Sequence, residues 1–558
     1  MLKGPLPRRE FLKAGGALVI GFSLRAPLSA QQRPVAPGPP DARQIDTWLA
    51  IHADNTATVY IGFAELGQGT STALPQVAAE ELDIDMAQVR TVGLDTHVTP
   101  NQGGTYSSAS ISRGGPQLRT AAAEARAALL DMAAKRLGVP AAQLSVAKGI
   151  VSGGGKSVTY GELVGGKLFN LAFTGNAKPK QPSEYKLVGT KHPRRDMPDK
   201  VAGRYTYVQH VRVPGMLHAR IIRPRGQRAY GAGAKILAID ESTIKDIPSA
   251  RIIRKGDFLG VVADTEWDAV RAARQLKVTW DTTPSLPGNA KLHEQMRAET
   301  TSDNVVANEG DAAAAYAQAA HKAEFAIRGP YQAHAPFAPN CALADVKADS
   351  ALIICPTQDV YGTRRQLAAL LGMPEPKIRV QYFESSGTYG HSCYDDVSQA
   401  AALLSREAGR PVRLQFMRWD EHGWDLYGPA HVGEVRVACD GQGMLSSYQY
   451  DGWNHNWSQV ETTAQLTGTP IAEWPGFGAQ GVSRQHCGAM YKLANKRLVY
   501  HKNIAAKYLR GAWLRSPLDL SFAFASEQAI DDLAHQRGED PYEFRRRNIA
   551  DERWLGVL

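Results

Sequence analysis

Gly67-Gln68-Gly69-Thr70-Ser71-Thr72-Ala73-Leu74-Pro75-Gln76-Val77-Ala78-Ala79-Glu80-Glu81-Leu82 is the stretch on which the reading of this chain turns. Its first four residues stand between a predicted strand and a predicted helix. Two glycines let backbone come close to a ligand, and the helix start offers free N–H groups to an anion. The Gln68 amide both donates and accepts. Taken alone, a Gly-x-Gly ahead of a helix is most often a plain turn.

Outward from this block the pattern continues. Trp48 to Ile51 and Ala57 to Ile61 read as two strands about the turn pair Asp54-Asn55. A helix is predicted from Ser71 to about Leu82 and a strand from Val89 to Leu94. A second helix runs from Gln117 to Leu137 and stops at Gly138. Before that helix, Gly103-Gly104-Thr105-Tyr106-Ser107-Ser108-Ala109-Ser110 forms a second small-residue loop, with Arg113 close behind. Hydroxyls, backbone amides and one arginine suit a phosphate; a flexible Ser/Gly loop is the competing reading. Ser385-Ser386-Gly387-Thr388-Tyr389-Gly390-His391 is a third such loop, between strand 378–383 and helix 396–408. Three cradles from distant parts of one chain suit one large phosphate-bearing cofactor. None carries Gly-x-Gly-x-x-Gly in a strand–turn–helix unit, which excludes a Rossmann reading.

Further along, residues 150–200 are rich in Gly, Lys and Pro and are expected to wrap between domains. From 201 to about 287 strands (Tyr205 to Val213, Leu217 to Arg223, Leu259 to Ala263) alternate with a helix from Glu266 to Leu276. A loop of little pattern is expected over 281–310. A last unit begins near Ala312, with helix 361–371, strand 378–383, helix 396–408, strands 412–417 and 433–439, and a final helix from about Phe522 to Arg537.

Composition narrows the classes. The chain has 558 residues, 43% hydrophobic and 21% charged, which is ordinary globular usage with room for several cores. Its formal net charge is +9, of which +4 falls before Ala30; no basic stripe with interleaved aromatics implies nucleic acid. Cys341, Cys355, Cys393, Cys439 and Cys487 are far apart and form no Cys-x-x-Cys, so zinc-ribbon and iron–sulfur spacings are absent. His334, His391, His422, His431 and His455 scatter singly, and neither His-Glu-x-x-His nor Gly-x-Ser-x-Gly occurs. Asp395-Asp396 and Asp531-Asp532 read as helix-start or solvated acids rather than catalytic pairs.

The N-terminus reads Pro7-Arg8-Arg9-Glu10-Phe11-Leu12-Lys13, an apolar run from Ala14 to Leu24, then Leu28-Ser29-Ala30. That is the pattern of a twin-arginine export signal, and the run is too short for a permanent span, which needs about 20 residues. This route carries folded proteins, so the expectation is a cofactor loaded before export to the periplasm. No later apolar run is long enough to span a membrane.

On these residues the chain resembles the large molybdopterin subunit of the xanthine dehydrogenase/aldehyde oxidase family, most of all its isoquinoline 1-oxidoreductase beta-subunit type. Gly67-Gln68-Gly69 with Gln76 to Leu82, Asp95-Thr96 through Thr105, Val211 to His218, Thr357-Gln358, and Leu514-Arg515-Ser516-Pro517 with Glu527 carry the likeness. It implies an α+β, multi-domain molybdenum hydroxylase large subunit with a small α/β hammerhead-like domain between molybdopterin-binding regions. The implied division is 1–30 signal, 31–44 Pro/Gly/Gln linker, 45–165 first molybdopterin-binding region (circularly permuted), 166–200 connecting segment, 201–290 hammerhead-like domain, and 310–558 second molybdopterin-binding region.

The resemblance further implies a molybdenum–molybdopterin cytosine dinucleotide whose metal is held by the pterin dithiolene, with no protein metal ligand. Gly67, Gln68, Gly69, Thr70, Gly104, Ser108 and Ser110 would bind the cofactor. Gln358 would face the metal's oxo group. Gly387, Tyr389 and Gly390 would form the aromatic-containing loop at the substrate pocket. Arg515 would stabilise charge developing in the transition state, with Arg510 the alternative register. His391-Ser392-Cys393 stand where some relatives place a glutamate, which disfavours purine-like substrates. The implied reaction oxidises an aldehyde or an N-heterocyclic aromatic carbon with water as oxygen source. Electrons would pass to a small subunit with 2Fe-2S clusters and, by analogy alone, to a cytochrome c. The family's glutamate base, in a Gly-x-Gly-Glu motif near the C-terminus, is not found in the residues up to Leu558. The competing expectation is therefore a truncated, non-catalytic remnant, or a partial subunit needing a second chain for that glutamate.

Overall fold

The computed structural model describes residues 40–225, 235–281, 288–393, 396–455, 462–470, 490–503, 509, 511, 514–516 and 519–558. The export signal, most of the linker, Asp395, Cys487, Arg510 and Pro517 lie outside these residues.

Strands Leu49–Ile51 and Ala57–Tyr60 pair antiparallel, and Ala57–Tyr60 pairs parallel with Val89–Val92. Helix Thr70–Leu82 supplies the crossover that a parallel pair requires. Helix Gly114–Leu137 packs on it through Leu118, Ala121, Ala122, Ala125 and Leu129, all buried. Its alanines keep the two helices close. A side chain at Gly114 would place a Cβ 2.3 Å from the Phe63 ring, so only glycine fits at that contact. The helix ends at Gly138 in the left-handed conformation (φ 71°), as its sequence predicts. Residues 145–159 form a small three-stranded meander.

The segment 166–200 has little regular structure and is fastened by carboxylates. Asp46 accepts the N–H groups of Phe169 and Asn170. Glu124 accepts Thr174 and Asn176. Glu81 accepts Lys180, and Glu80, 2% exposed, accepts Lys186, Leu187 and Val188 at 2.6–2.9 Å. Burial opposes ionisation of Glu80, but those three N–H groups and Lys180 hold it below the ordinary carboxylate range.

A seven-stranded sheet follows in the order Ile378–Tyr382, Ala351–Cys355, Cys341–Val346, Val412–Gln415, Leu217–Ile221, Phe258–Ala263, Arg251–Lys255. Residues from 201–290 and from 310–558 thus share one sheet. Helix Asp396–Ala408 covers its centre with Val397, Ala400, Ala401 and Leu404 buried. A separate five-stranded sheet runs Thr301–Glu309, Lys496–Asn503, Leu445–His455, His431–Cys439, His321–Gly329, with helix Asp519–Gln536 against it. The architecture is α+β and multi-domain.

Two sequence expectations need correction. The stretch 281–310 carries helix Leu292–Ala298 and the nine-residue edge strand Thr301–Glu309, whose alternation is weak because none of its residues is fully buried and its register shifts between Val305 and Ala307. Tyr205 to Val213 is not a strand; its described structure is a short 3-10 turn at Val208–His210 that packs on the sheet end. Among the described residues no helix is long and apolar enough to cross a membrane.

Glu80→Ala should release residues 180–190 from the first helix, at a cost of about 2 kcal/mol for charge-assisted bonds. Limited proteolysis at neutral pH should then cut this segment faster while the sheets stay intact; unchanged cleavage would remove Glu80 from this role.

Candidate functional site

Gln358 lies just past strand Ala351–Cys355, and Asp359 caps the helix that follows by accepting the Gly362 N–H at 2.8 Å. The Gln358 Nε2 donates to the Thr105 carbonyl (2.8 Å), and the Thr105 N–H donates to the Gln358 carbonyl (2.9 Å). The Gln358 N–H donates in turn to Ser392. Thr105 Oγ1 accepts the Ala64 N–H at 2.8 Å. The second loop and Ser392, at the end of the third, therefore meet at one glutamine, only 3% exposed, and Ala64, three residues before the first loop, is bound to the same Thr105. Its Oε1 is buried and has no partner among the described residues, as is true of Thr70 Oγ1 and Ser392 Oγ. A buried orphan acceptor costs about 1–3 kcal/mol until a ligand satisfies it.

The Gly67–Thr70 loop departs from expectation. Gly67 and Gly69 have φ of 101° and 88°, and the turn does point N–H groups into a nest. That nest already holds an anion. Glu65, 8% exposed, accepts Gly67 and Gly69 on Oε1 (both 2.9 Å) and Ser71 N and Oγ on Oε2 (2.8 and 2.7 Å). Arg194 lies 3.5 Å from Glu65. The Gln68 amide closes the loop on itself, accepting Leu66 N and donating to the Ala64 carbonyl. No sequence motif marked Glu65, because its role comes from the fold of the turn that follows it.

An ionic relay links this loop to the third one. Arg194 pairs with Asp196, Asp196 with Lys200, and Lys200 with Glu384 at 2.7 Å, where Tyr205 also donates. Burial alone would raise Asp196, yet Arg194 and Lys200 bring it down to about 2. Ser385, next in sequence, accepts from Gln209, and Ser386 accepts the Ala338 N–H. The loop then turns at Tyr389, a non-glycine residue at φ 55° that is 40% exposed. Its carbonyl accepts the Arg515 N–H at 2.6 Å. Gly387, Tyr389, Gly390 and Arg515 therefore gather at one rim, with Arg515 exposed. His391 turns inward instead: it is 6% exposed and bonded to Asn340 and Asp425.

In the second loop Gly104 is buried, Ser108 is exposed at φ 54° and Ser110 is 8% exposed. Arg113 reaches back to the Gly104 carbonyl. Cys341, Cys355 and Cys439 are buried thiols. Among the described residues no group of three or more His, Cys, Asp or Glu is placed to hold a metal ion. Sequence reasoning missed Glu65, Asn340, Arg418 and Asp425.

Residues 27–213 and 296–549 each match the family of molybdopterin cofactor-binding domains. The chain belongs to the molybdopterin-binding large subunits of the xanthine dehydrogenase family. It is 34% identical over 557 residues to the nicotinate dehydrogenase B-subunit of Pseudomonas putida, covering 99% of this chain and 46% of that relative. It is 27% identical to the beta-subunit of isoquinoline 1-oxidoreductase of Brevundimonas diminuta, over 98% of this chain and 75% of the relative. The chain thus spans about half the length of the first and three quarters of the second. The aldehyde oxidoreductase of Desulfovibrio gigas shares the fold, with a TM-score of 0.55, 20% identity, and 67% and 44% of the two chains covered. The site fits the family's cofactor: an unpaired amide oxygen, two unpaired hydroxyls and loop hydroxyls are partners for an organic ligand that carries its own metal.

Glu65→Ala should empty the nest. The variant should lose about 2 kcal/mol, and sulfate should then restore more of its melting temperature than it adds to the native chain, because a helix-start nest binds anions. Equal sulfate effects would contradict the nest.

Glu421, behind the third loop, is pushed up to about 7 by burial, with Asp425 adding and His391, the Asn340 N–H and Arg418 opposing. Its folded value lies above its unfolded one, so the folded state binds the extra proton and stability falls as pH rises from about 4.5 to 7. Glu421→Gln keeps an acceptor for Asn340 and should remove this slope, about 3 kcal/mol at most. Denaturation at pH 5 and pH 8 measures it.

Proposed function

We propose that this chain is the molybdopterin-bearing subunit of a hydroxylase that oxidises an N-heterocyclic aromatic carbon or an aldehyde, with water as the oxygen source. The observation that carries the reading is Gln358, buried and clasped to Thr105 of the second loop with its Oε1 unpaired, where Ser392 ends the third loop.

In this reading the bound cofactor supplies two-electron redox chemistry. Gln358 orients it through its amide. Gly69, Thr70, Gly104, Ser108 and Ser110 line its binding loops, with Gly67 and Gln68 shaping the first of them. Gly387, Tyr389 and Gly390 border the substrate. Arg515 holds a guanidinium where negative charge develops, and its backbone bond to Tyr389 fixes its distance from the loop. The cofactor is taken to be the cytosine dinucleotide form. Electrons leave to a separate 2Fe-2S subunit, and a cytochrome c is a further acceptor. Assembly is cytoplasmic and the complex is exported by the twin-arginine route to the periplasm, as the Arg8-Arg9 pattern suggests.

The test is elemental analysis of the complex purified with its co-expressed partners. Molybdenum and cytidine monophosphate, released on hydrolysis, should appear together with turnover of nicotinate, isoquinoline or an aromatic aldehyde. Absence of both metal and nucleotide would overturn the assignment. Arg515→Ala should lower kcat about 100-fold, the usual loss of one charge-stabilising donor, with molybdenum content unchanged. Metal falling in step with activity would make Arg515 structural.

A further inference from the structure

Behind the third loop lies a buried polar cluster that the proposed reaction does not use. Asp425 follows helix Arg418–Trp424, His334 lies beyond strand His321–Gly329, and His391 closes the loop itself. Their side chains are 6%, 0% and 7% exposed. Asn340 Nδ2 meets His391 Nδ1 at 2.6 Å; an amide N–H donates, so that ring nitrogen accepts and the proton sits on Nε2. Nε2 then donates to Asp425 Oδ1 at 2.8 Å. Asp425 Oδ2 is 3.4 Å from His334 Nδ1. The two imidazoles meet edge-to-face at 5.4 Å. The cluster is closed on its outer side by Glu421, which accepts the Asn340 N–H and pairs with Arg418. Arg418 in turn donates to the carbonyls of Pro336 and Phe337.

The position of His391 gives this cluster its reach. The His391 N–H donates to the Thr388 carbonyl and so closes the turn that holds Tyr389 at positive φ. The neighbouring Ser392 carbonyl accepts the Gln358 N–H and Thr357 Oγ1. Tyr389 leads to Arg515, and Ser392 leads to Gln358. A buried carboxylate is retained only where paired and hydrogen-bonded, and here the imidazoles that Asp425 meets stand at this junction.

We propose that Asp425 is a positioning residue: by taking His391 on one oxygen and facing His334 with the other, it sets the 388–392 turn and with it the separation between Gln358 and Arg515. The inference builds on the functional reading above, since that reading gives Gln358 and Arg515 their roles. The geometric claim stands without it.

The test is hydrogen exchange on the full chain in its complex, followed at peptides covering 387–392 and 514–516, alongside kinetics and molybdenum content. Asp425→Ala should speed exchange of the His391 and Arg515 amides about tenfold or more while strand Ala351–Cys355 keeps its protection. It should raise KM more than it lowers kcat, with molybdenum retained. His391→Phe should reproduce this. His391→Gln, whose amide can still donate to Asp425, should return most of the protection and of the KM. Asp425→Asn keeps the shape and an acceptor for His391, and should show the same local signature in smaller degree if the alanine variant does not fold. Unchanged exchange at 387–392, equal loss across the whole sheet, or a glutamine variant no better than phenylalanine would each overturn the proposal. If the native complex holds no molybdenum, the functional reading fails, and the exchange result alone still decides the role of Asp425.

Discussion

The clasp between Gln358 and Thr105 is the contact on which the site depends. It joins residues 253 positions apart by a reciprocal pair of hydrogen bonds, one of them from a side chain that could have faced water. The clasp forms because the first unit is already docked alongside. Leu94 and Thr96 extend the edge strand Ile378–Tyr382 through backbone bonds, and Asp95 takes both Arg379 and Gln381. An edge strand left open would be a liability; here it is paired by another part of the chain. With that register set, Thr105 has one place to go, and Gln358 receives it there.

Around the clasp the loops are ordered mainly by buried carboxylates. Glu65 fills the first loop, Glu80 and Asp46 fasten the connecting segment, Glu384 binds Lys200 and Tyr205, and Asp425 anchors the third loop. Long loops without regular pairing lose much conformational entropy on folding and leave many N–H groups needing acceptors. A carboxylate accepts several at once, and each such bond is stronger than a neutral one. The fold thus supplies its own anions where the glycine turns would otherwise demand external ones. What is left unpaired is informative for the same reason. The orphans at the clasp are the Gln358 amide oxygen and the Ser392 hydroxyl, groups that suit an uncharged or hydrogen-bonding portion of a ligand.

Much of this could be read from the chain. The helices 114–137, 360–371 and 396–408 were legible because apolar residues at helical spacing met glycine stops at Gly138, Gly372 and Gly409, and helix 70–82, which ends at Asp83, was legible from its start after Gly67-Gln68-Gly69. The three small-residue loops were legible as loops, but the contact of Thr105 with Gln358 is made by tertiary docking. Two things were not legible. The 301–309 strand sits at a sheet edge with neither face fully buried and a register shift between Val305 and Ala307, so its alternation is blurred. The 205–213 stretch has the β-branched content of a strand but packs as a turn on the end of the sheet, a tertiary override of propensity. Within the site, Gln358 and Arg515 came from motifs, whereas Glu65 and Asp425 act through contacts that only the tertiary structure creates.

The difference between Glu65 and Arg515 shows how such a site keeps charge apart. Glu65 is surrounded by donors and its negative charge is spent within the first loop. The acids nearest the third loop are likewise committed, Glu384 to Lys200 and Asp425 to imidazoles. Arg515 is exposed, and its backbone is tied through Tyr389. A cation held by its main chain, beside acids that already have hydrogen-bond or ionic partners, keeps its guanidinium available for charge that arrives with a ligand. That asymmetry requires the carboxylates to be locked first, and the turn at Tyr389 is where the locking is passed on to the arginine.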